Sequence, residues 1–205
     1  MKVLVFGASG RVGQALVQQL VAAGHEVVAA ARHPEVFADQ AGVTPLVLDL
    51  HESIEQLSVP AVDAAYFVAG SRGKELLQID AYGAVKAMAL TEKVGAKRFI
   101  MLSSLFATVP EKWSVGLTNY NIAKFFADHW LMEHTQLDYT ILQPGALTEA
   151  PATGQIQFNV TAGGANPIPD VAATLAALLT APNTSGKVLT MLSGTTPIAD
   201  AVAAI

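Results

Sequence analysis

Near the amino terminus the chain reads Gly7-Ala8-Ser9-Gly10-Arg11-Val12-Gly13, with a glycine at every third position. That spacing suits a backbone turning around a pyrophosphate. The first glycine permits a tight turn, the second lets backbone approach phosphate, and the third lets helix and strand pack closely. A helix starting there would add free N–H groups and the positive end of its dipole. Farther along, Ser103-Ser104 precede Tyr120 and Lys124. Tyr120 and Lys124 lie four residues apart and share one face of a helix. An ammonium beside a phenol stabilises phenolate, which suits Tyr120 to act as general acid for a carbonyl oxygen receiving hydride. Lys124 can also bond a nicotinamide ribose, and a serine hydroxyl nearby would orient the carbonyl.

The type of dinucleotide is read at the end of the second apolar run, Ala30-Ala31-Arg32-His33-Pro34. An acidic residue there would hold the ribose 2′-hydroxyl of NAD; none is present. The Arg32 guanidinium can instead meet a 2′-phosphate and stack on adenine. Arg11, inside the glycine turn, is a second cation for the same phosphate. NADP(H) is therefore expected over NAD(H). Asp49-Leu50 are placed to touch adenine, although Asp49 serves equally well as a helix cap. Chain composition excludes other chemistries. There is no cysteine, and the histidines at 25, 33, 51, 129 and 134 do not pair at metal-ligand spacing, so no metal is expected and they read as surface or cap residues.

These residues need elements to position them. Short apolar runs at 2–6, 26–31, 43–48, 63–68, 98–103 and 139–143 read as strands. Helical spacing predicts helices over about 11–23, 74–94 and 118–134, with Gly24 and Gly95 as stops. Alternation of this kind implies a doubly wound α/β fold, a parallel sheet with helices on both faces. Ligands of such sheets lie at the carboxyl ends of the strands. The last quarter carries few charges. It reads as loop over 150–169 with one strand near 155–159, a helix over 170–180, a strand over 187–192 and a closing helix over 196–204. Residues 148–205 are expected to form a small cap on the substrate side of a single domain spanning 1–205. So low a charge density fits burial against the sheet or against a second subunit, a homodimer.

Asp63, at a strand start, reads as structural, and Asp128, four residues beyond Lys124, as a candidate ion-pair partner for it. Trp130 and Leu131 are expected in the core. With 12 basic against 17 acidic residues the net charge is −5, and no basic block suggests nucleic acid. No apolar run has the roughly 18–20 residues of a membrane helix, and the first apolar run is too short for a signal-peptide core. A soluble, cytoplasmic protein acting on a small molecule is expected.

Taken together, the G-A-S-G-R-V-G turn, A-R-H-P, V-A-G-S after the fourth strand, the S-S strand end, Y-N-I-A-K-F-F-A-D and I-L-Q-P-G-A-L-T resemble the atypical short-chain dehydrogenase/reductase superfamily. The similarity is greatest to its small NAD(P)H-binding members of the NmrA-like and biliverdin-reductase-B-like kind. The resemblance implies an NAD(P)-binding Rossmann fold. It implies cofactor contacts at Gly7, Ser9, Gly10, Arg11, Val12, Gly13, Arg32, Asp49 and Leu50. Further contacts are implied at Ala69, Gly70, Ser71, Ser103, Tyr120, Lys124 and the run Pro144, Gly145, Ala146, Leu147. Ser104 matches the superfamily's catalytic serine, with Ser103 as fallback, beside Tyr120 and Lys124. One departure stands out: 16 positions separate Ser104 from Tyr120, an unusually long interval. The insert, with Phe106 and Trp113, is either a substrate loop or a displacement of Tyr120 from the reacting centre. The implied activity is NADP(H)-dependent hydride transfer to a small carbonyl or quinone-like acceptor. The alternatives are a non-catalytic redox sensor or regulator and, more weakly, a sugar-nucleotide epimerase or dehydratase.

Overall fold

A computed structural model describes residues 1–205. In chain order the elements are β1 (Lys2–Phe6), α1 (Arg11–Ala22), β2 (Glu26–Ala31), β3 (Val43–Val47), β4 (Ala64–Phe67), α2 (Tyr82–Lys93), β5 (Arg98–Leu102) and α3 (Thr118–His134). There follow β6 (Asp138–Pro144), β7 (Ala146–Thr148), β8 (Gln155–Phe158), β9 (Ala165–Pro167), α4 (Ile168–Leu178), β10 (Lys187–Ser193), β11 (Thr196–Pro197) and α5 (Ile198–Ala203). The main sheet runs β11-β8-β10-β6-β5-β4-β1-β2-β3. The strands from β3 to β10 in that order pair in parallel, while β8 and β11 are antiparallel additions. This is the doubly wound α/β arrangement.

Alternation along β1 sets the layers. Val3 and Val5 face one side, where Leu16 and Leu20 of α1 meet Val171 and Leu175 of α4. Leu4 and Phe6 face the other, with Ala84 and Met88 of α2, Phe99, and Leu131 of α3. Removing one such leucine would cost about 2–5 kcal/mol. Two buried polar groups peg α4 to the sheet: the Tyr66 hydroxyl donates to Leu175 O at 3.0 Å, and Arg98 donates to Leu178 O at 2.7 Å. The Lys2 N–H donates to the Asp63 carboxylate at 2.7 Å, the structural role expected of Asp63.

Several expectations need correction. The long helix foreseen over 74–94 is two pieces: a wide π-helical turn, Leu76–Ala81, then α2. The wider turn carries Asp80 inward, where it is fully buried and its carboxylate accepts the Ser71 N–H at 3.1 Å. The region 148–205 is not mainly a cap. β10 is a seventh parallel strand beside β6, and α4 packs on α1 beneath the sheet. Only the β7–β9 ribbon stands apart from the main sheet. The strands are not all covered on both faces either, because β3 is open and Val47 is exposed. β3 contains Pro45; since Leu48 N donates to Ala31 O, alternation turns the Pro45 nitrogen away from β2. Trp130 is 45% exposed and stacks on His134 outside α3, whereas Leu131 is buried as expected. No helix is long and apolar enough to cross a membrane.

Candidate functional site

A cleft of about 1350 Å³ opens along the carboxyl ends of the parallel strands. The loops after β1, β2, β3, β4, β5 and β6 all contribute to it, as the fold requires. Every residue expected at the cofactor or the reacting centre lines this cleft except Gly13.

Midway along the cleft lies the glycine turn from β1 into α1, since β1 sits between β4 and β2 in the sheet. Gly7 has φ of +86°, and a Cβ on it would stand 2.5 Å from the Ala69 backbone. A Cβ on Gly13 would stand 2.3 Å from Gly7 O, so this glycine serves strand–helix packing and not the cleft surface. The backbone N–H groups of Ser9, Arg11 and Val12 find no acceptor in the chain, yet all three residues line the cleft. Unpaired donors at a helix start form a cradle for an anion. The residues present thus fit a dinucleotide diphosphate. The Arg32 guanidinium is exposed on the cleft wall without a hydrogen-bond partner, while Arg11 donates to Glu149 at 2.7 Å.

Along the cleft beyond β3, where the sequence places adenine contacts, His51 joins two loops. Its Nδ1 is 2.7 Å from Asp49 Oδ1 and its Nε2 is 2.8 Å from Glu75 Oε1. A carboxylate only accepts, so both ring nitrogens must carry protons for both bonds to form. The bonds to Asp49 and Glu75 raise the His51 pKa above the ordinary histidine value of 6.5. Burial works against Asp49, but its hydrogen bonds to His51 hold it below the ordinary carboxylate range. Asp49 also accepts the His51 N–H at 3.0 Å, but within a turn: no helix follows at Glu52, so the helix-cap role weighed for it from sequence is not found. Below, Lys86 donates to Leu50 O and, at 3.0 Å, to Glu52 O. The plain surface role expected of His51 is therefore replaced by a bridge between Asp49 and Glu75.

At the opposite end α3 brings Tyr120 and Lys124 onto the cleft. The Lys124 ammonium is buried, donates to Leu102 O at 3.3 Å and lies 5.8 Å from the centre of the Tyr120 ring. The two serines part company. The Ser103 hydroxyl points down and donates to Asp128 Oδ2 at 2.8 Å; Gln143 Nε2 donates to the same oxygen at 2.9 Å. Ser104 lines the cleft and its hydroxyl has no partner in the chain. Asp128 therefore binds Ser103 and Gln143 and does not form the contact ion pair with Lys124. Burial pushes its carboxyl up to about 6, against the pull of its two hydrogen bonds and the Lys124 charge. Sequence spacing gave no sign of Asp80, Gln143 or Asn121, although Asp80 and Asn121 both line the cleft and each keeps one buried oxygen unpartnered. No group of three His, Asp or Glu side chains is arranged to hold a metal ion.

With that geometry in view, comparison with known proteins is decisive. A family model described as NAD(P)H-binding matches residues 7–182. The chain belongs to this NAD(P)H-binding family. A similar solved structure within the same fold is the oxidoreductase ylbE from Lactococcus lactis. It is 42% identical, has a TM-score of 0.94, and the match covers 100% of this chain and 96% of that one. YhfK of Bacillus subtilis (strain 168), named an uncharacterized sugar epimerase, is 36% identical over 98% of this chain and 99% of its own. ChuY, an anaerobilin reductase from Escherichia coli O157:H7, is 26% identical with a TM-score of 0.76, covering 94% of this chain and 97% of its own. Family and neighbours together support an NAD(P)-dependent oxidoreductase of the atypical short-chain dehydrogenase/reductase group. The NAD(P)H-binding match runs from Gly7 through the strands and helices that build both ends of the cleft.

Proposed function

We propose that the protein is an NADP(H)-dependent oxidoreductase that reduces a small carbonyl or quinone-like acceptor. One observation carries the reading. Tyr120, buried Lys124 and the unpartnered Ser104 hydroxyl line one cleft together with a cradle of free N–H groups. Bound NADPH supplies a hydride and its two electrons. Ser104 orients the acceptor oxygen, Tyr120 delivers a proton to it, and Lys124 holds the ribose and keeps positive charge beside the phenol. Asp128 keeps Ser103 turned away, leaving Ser104 as the hydroxyl free to act. Arg32, exposed on the cleft wall without a partner, supports the preference for the 2′-phosphorylated cofactor.

The test follows NADPH oxidation against a panel of aldehydes and quinones. Tyr120→Phe should lose turnover by about 10²–10⁴-fold, with dinucleotide binding kept. Full turnover in that variant would refute the role of Tyr120. Tight dinucleotide binding without turnover on any acceptor would favour a redox sensor. Titration with NADP and NAD then examines Arg32: equal affinities, or a preference unchanged in Arg32→Ala, would remove the argument for NADP(H). The name of YhfK motivates a second reading, sugar-nucleotide epimerisation, which conversion of a UDP-hexose in the presence of NAD would reveal.

A further inference from the structure

The segment between β5 and α3 is held by more structure than a connection needs. Phe106 has φ of +59°, a left-handed conformation that costs energy in a bulky residue. It persists because Trp113 Nε1 donates to Phe106 O at 3.0 Å and to Ala107 O at 3.2 Å, while the Trp113 ring meets Phe125 edge-on at 5.9 Å. The result is a Phe106 ring that is almost wholly buried and lines the cleft, with the Lys112 ammonium 4.5 Å above its centre. A cation held over an aromatic face is partly fixed before any ligand arrives.

Charge around that ammonium is one-sided. Along the cleft wall formed by residues 102–124, 144–147 and 163–164, Lys112 and Lys124 are the only charged side chains. Glu111, the neighbour of Lys112, is exposed and lies outside the lining. By contrast, the wall built from the loops after β1, β2, β3 and β4 mixes Arg11, Arg32, Arg72 and Lys74 with Asp49, Glu75 and the buried Asp80. Beside Lys112 the same wall presents Val115, Leu117 and Leu147, two of them exposed apolar side chains. A chain of net charge −5 has thus placed Lys112 and free apolar surface on the same cleft wall as Tyr120 and Ser104.

We propose that the acceptor is a largely apolar molecule carrying an anionic group, a carboxylate or sulfonate. Lys112 takes the anion, and Val115 and Leu117 cover the apolar body. This rests on the oxidoreductase reading. The anionic group is a bystander in the redox change: the carbonyl gains one hydride from NADPH and one proton from Tyr120, leaving NADP⁺ and an alcohol or hydroquinone.

The experiment pairs 4-carboxybenzaldehyde with its methyl ester, and 1,4-naphthoquinone-2-sulfonate with menadione. Each aldehyde is titrated calorimetrically into protein saturated with NADP⁺, and NADPH oxidation is followed with all four. Wild type should bind the carboxylate about five-fold more tightly than the ester, the size expected for a partly exposed ion pair. The preference should vanish in Lys112→Gln and return in Lys112→Arg. For the quinones, the ratio of kcat/KM between sulfonate and menadione should drop by a similar factor in Lys112→Gln. Equal affinities in wild type, or a preference that survives Lys112→Gln, would overturn the proposal. Failure to bind NADP⁺ at all would strike the oxidoreductase reading instead, so the two failures are distinguishable.

Discussion

Two regions of the cleft are made of different material. At the glycine turn the surface offered to a ligand is backbone: unpaired N–H groups of Ser9, Arg11 and Val12 beside glycines too crowded to bear a side chain. At the Tyr120 end it includes the side chains of Ser104, Tyr120 and Lys124, carried on α3 and on the segment between β5 and α3. Backbone binds what every dinucleotide shares, whereas side chains can be exchanged without disturbing the sheet. Such a division would let one scaffold keep a cofactor while its acceptors diverge.

The most severe way to break this comparison is at Gly13. Gly13→Val would drive side-chain atoms into Gly7 O and Ala8 O. Overpacking of this kind costs about 1–3 kcal/mol or more. Dinucleotide affinity should fall on the order of 100-fold, with a lowered melting temperature by circular dichroism. A variant that binds normally would mean the turn is not rigid backbone after all.

Next in size is Asp128, beneath the side-chain end. Its folded pKa of about 6 lies above the ordinary 3.8, so the fold favours the protonated form. Stability from this group is fully present below pH 3.8 and is lost as pH rises through about 6. The interval between those two values is worth about 3 kcal/mol. Urea unfolding of wild type from pH 4 to 7.5 should show that decline, and Asp128→Asn should flatten it. Parallel curves for the two proteins would contradict the buried-carboxylate account.

A smaller effect is expected at His51. Its pKa is raised, so the bridge to Asp49 and Glu75 is complete below the ordinary value of 6.5 and is lost as pH climbs through the raised one. Affinity for NAD, which lacks the 2′-phosphate, should weaken a few-fold over that interval, and His51→Gln should abolish the dependence. An unchanged pH profile in the variant would show that the bridge does not shape the adenosine side.

The same contrast governs what could be read from the sequence. β1, β2 and α3 fall where apolar runs and helical spacing put them, at Lys2–Phe6, Glu26–Ala31 and Thr118–His134. The glycine turn was legible because glycine has a backbone reason at Gly7 and a packing reason at Gly13. Asp80, Gln143 and the Ser103–Asp128 bond were not legible, since each depends on elements distant in the chain meeting across the sheet. β7 and β9 have three residues each, too few for any period to show. Trp130 was misplaced because a large aromatic reads as core by type alone, while its position on α3 turns it outward. The wide turn at Leu76–Ala81 brings Asp80 to the Ser71 N–H, a tertiary contact with no local signature.

Pro45 has a consequence beyond the strand that holds it. An open sheet has two margins, and each can template the addition of strands from neighbouring molecules. On one margin the Pro45 ring occupies the place of an outward N–H. On the other the last strand is only Thr196–Pro197, again with proline. Neither margin offers a continuous row of donors, so the nine-stranded sheet is guarded against growing into a fibre when the protein is concentrated.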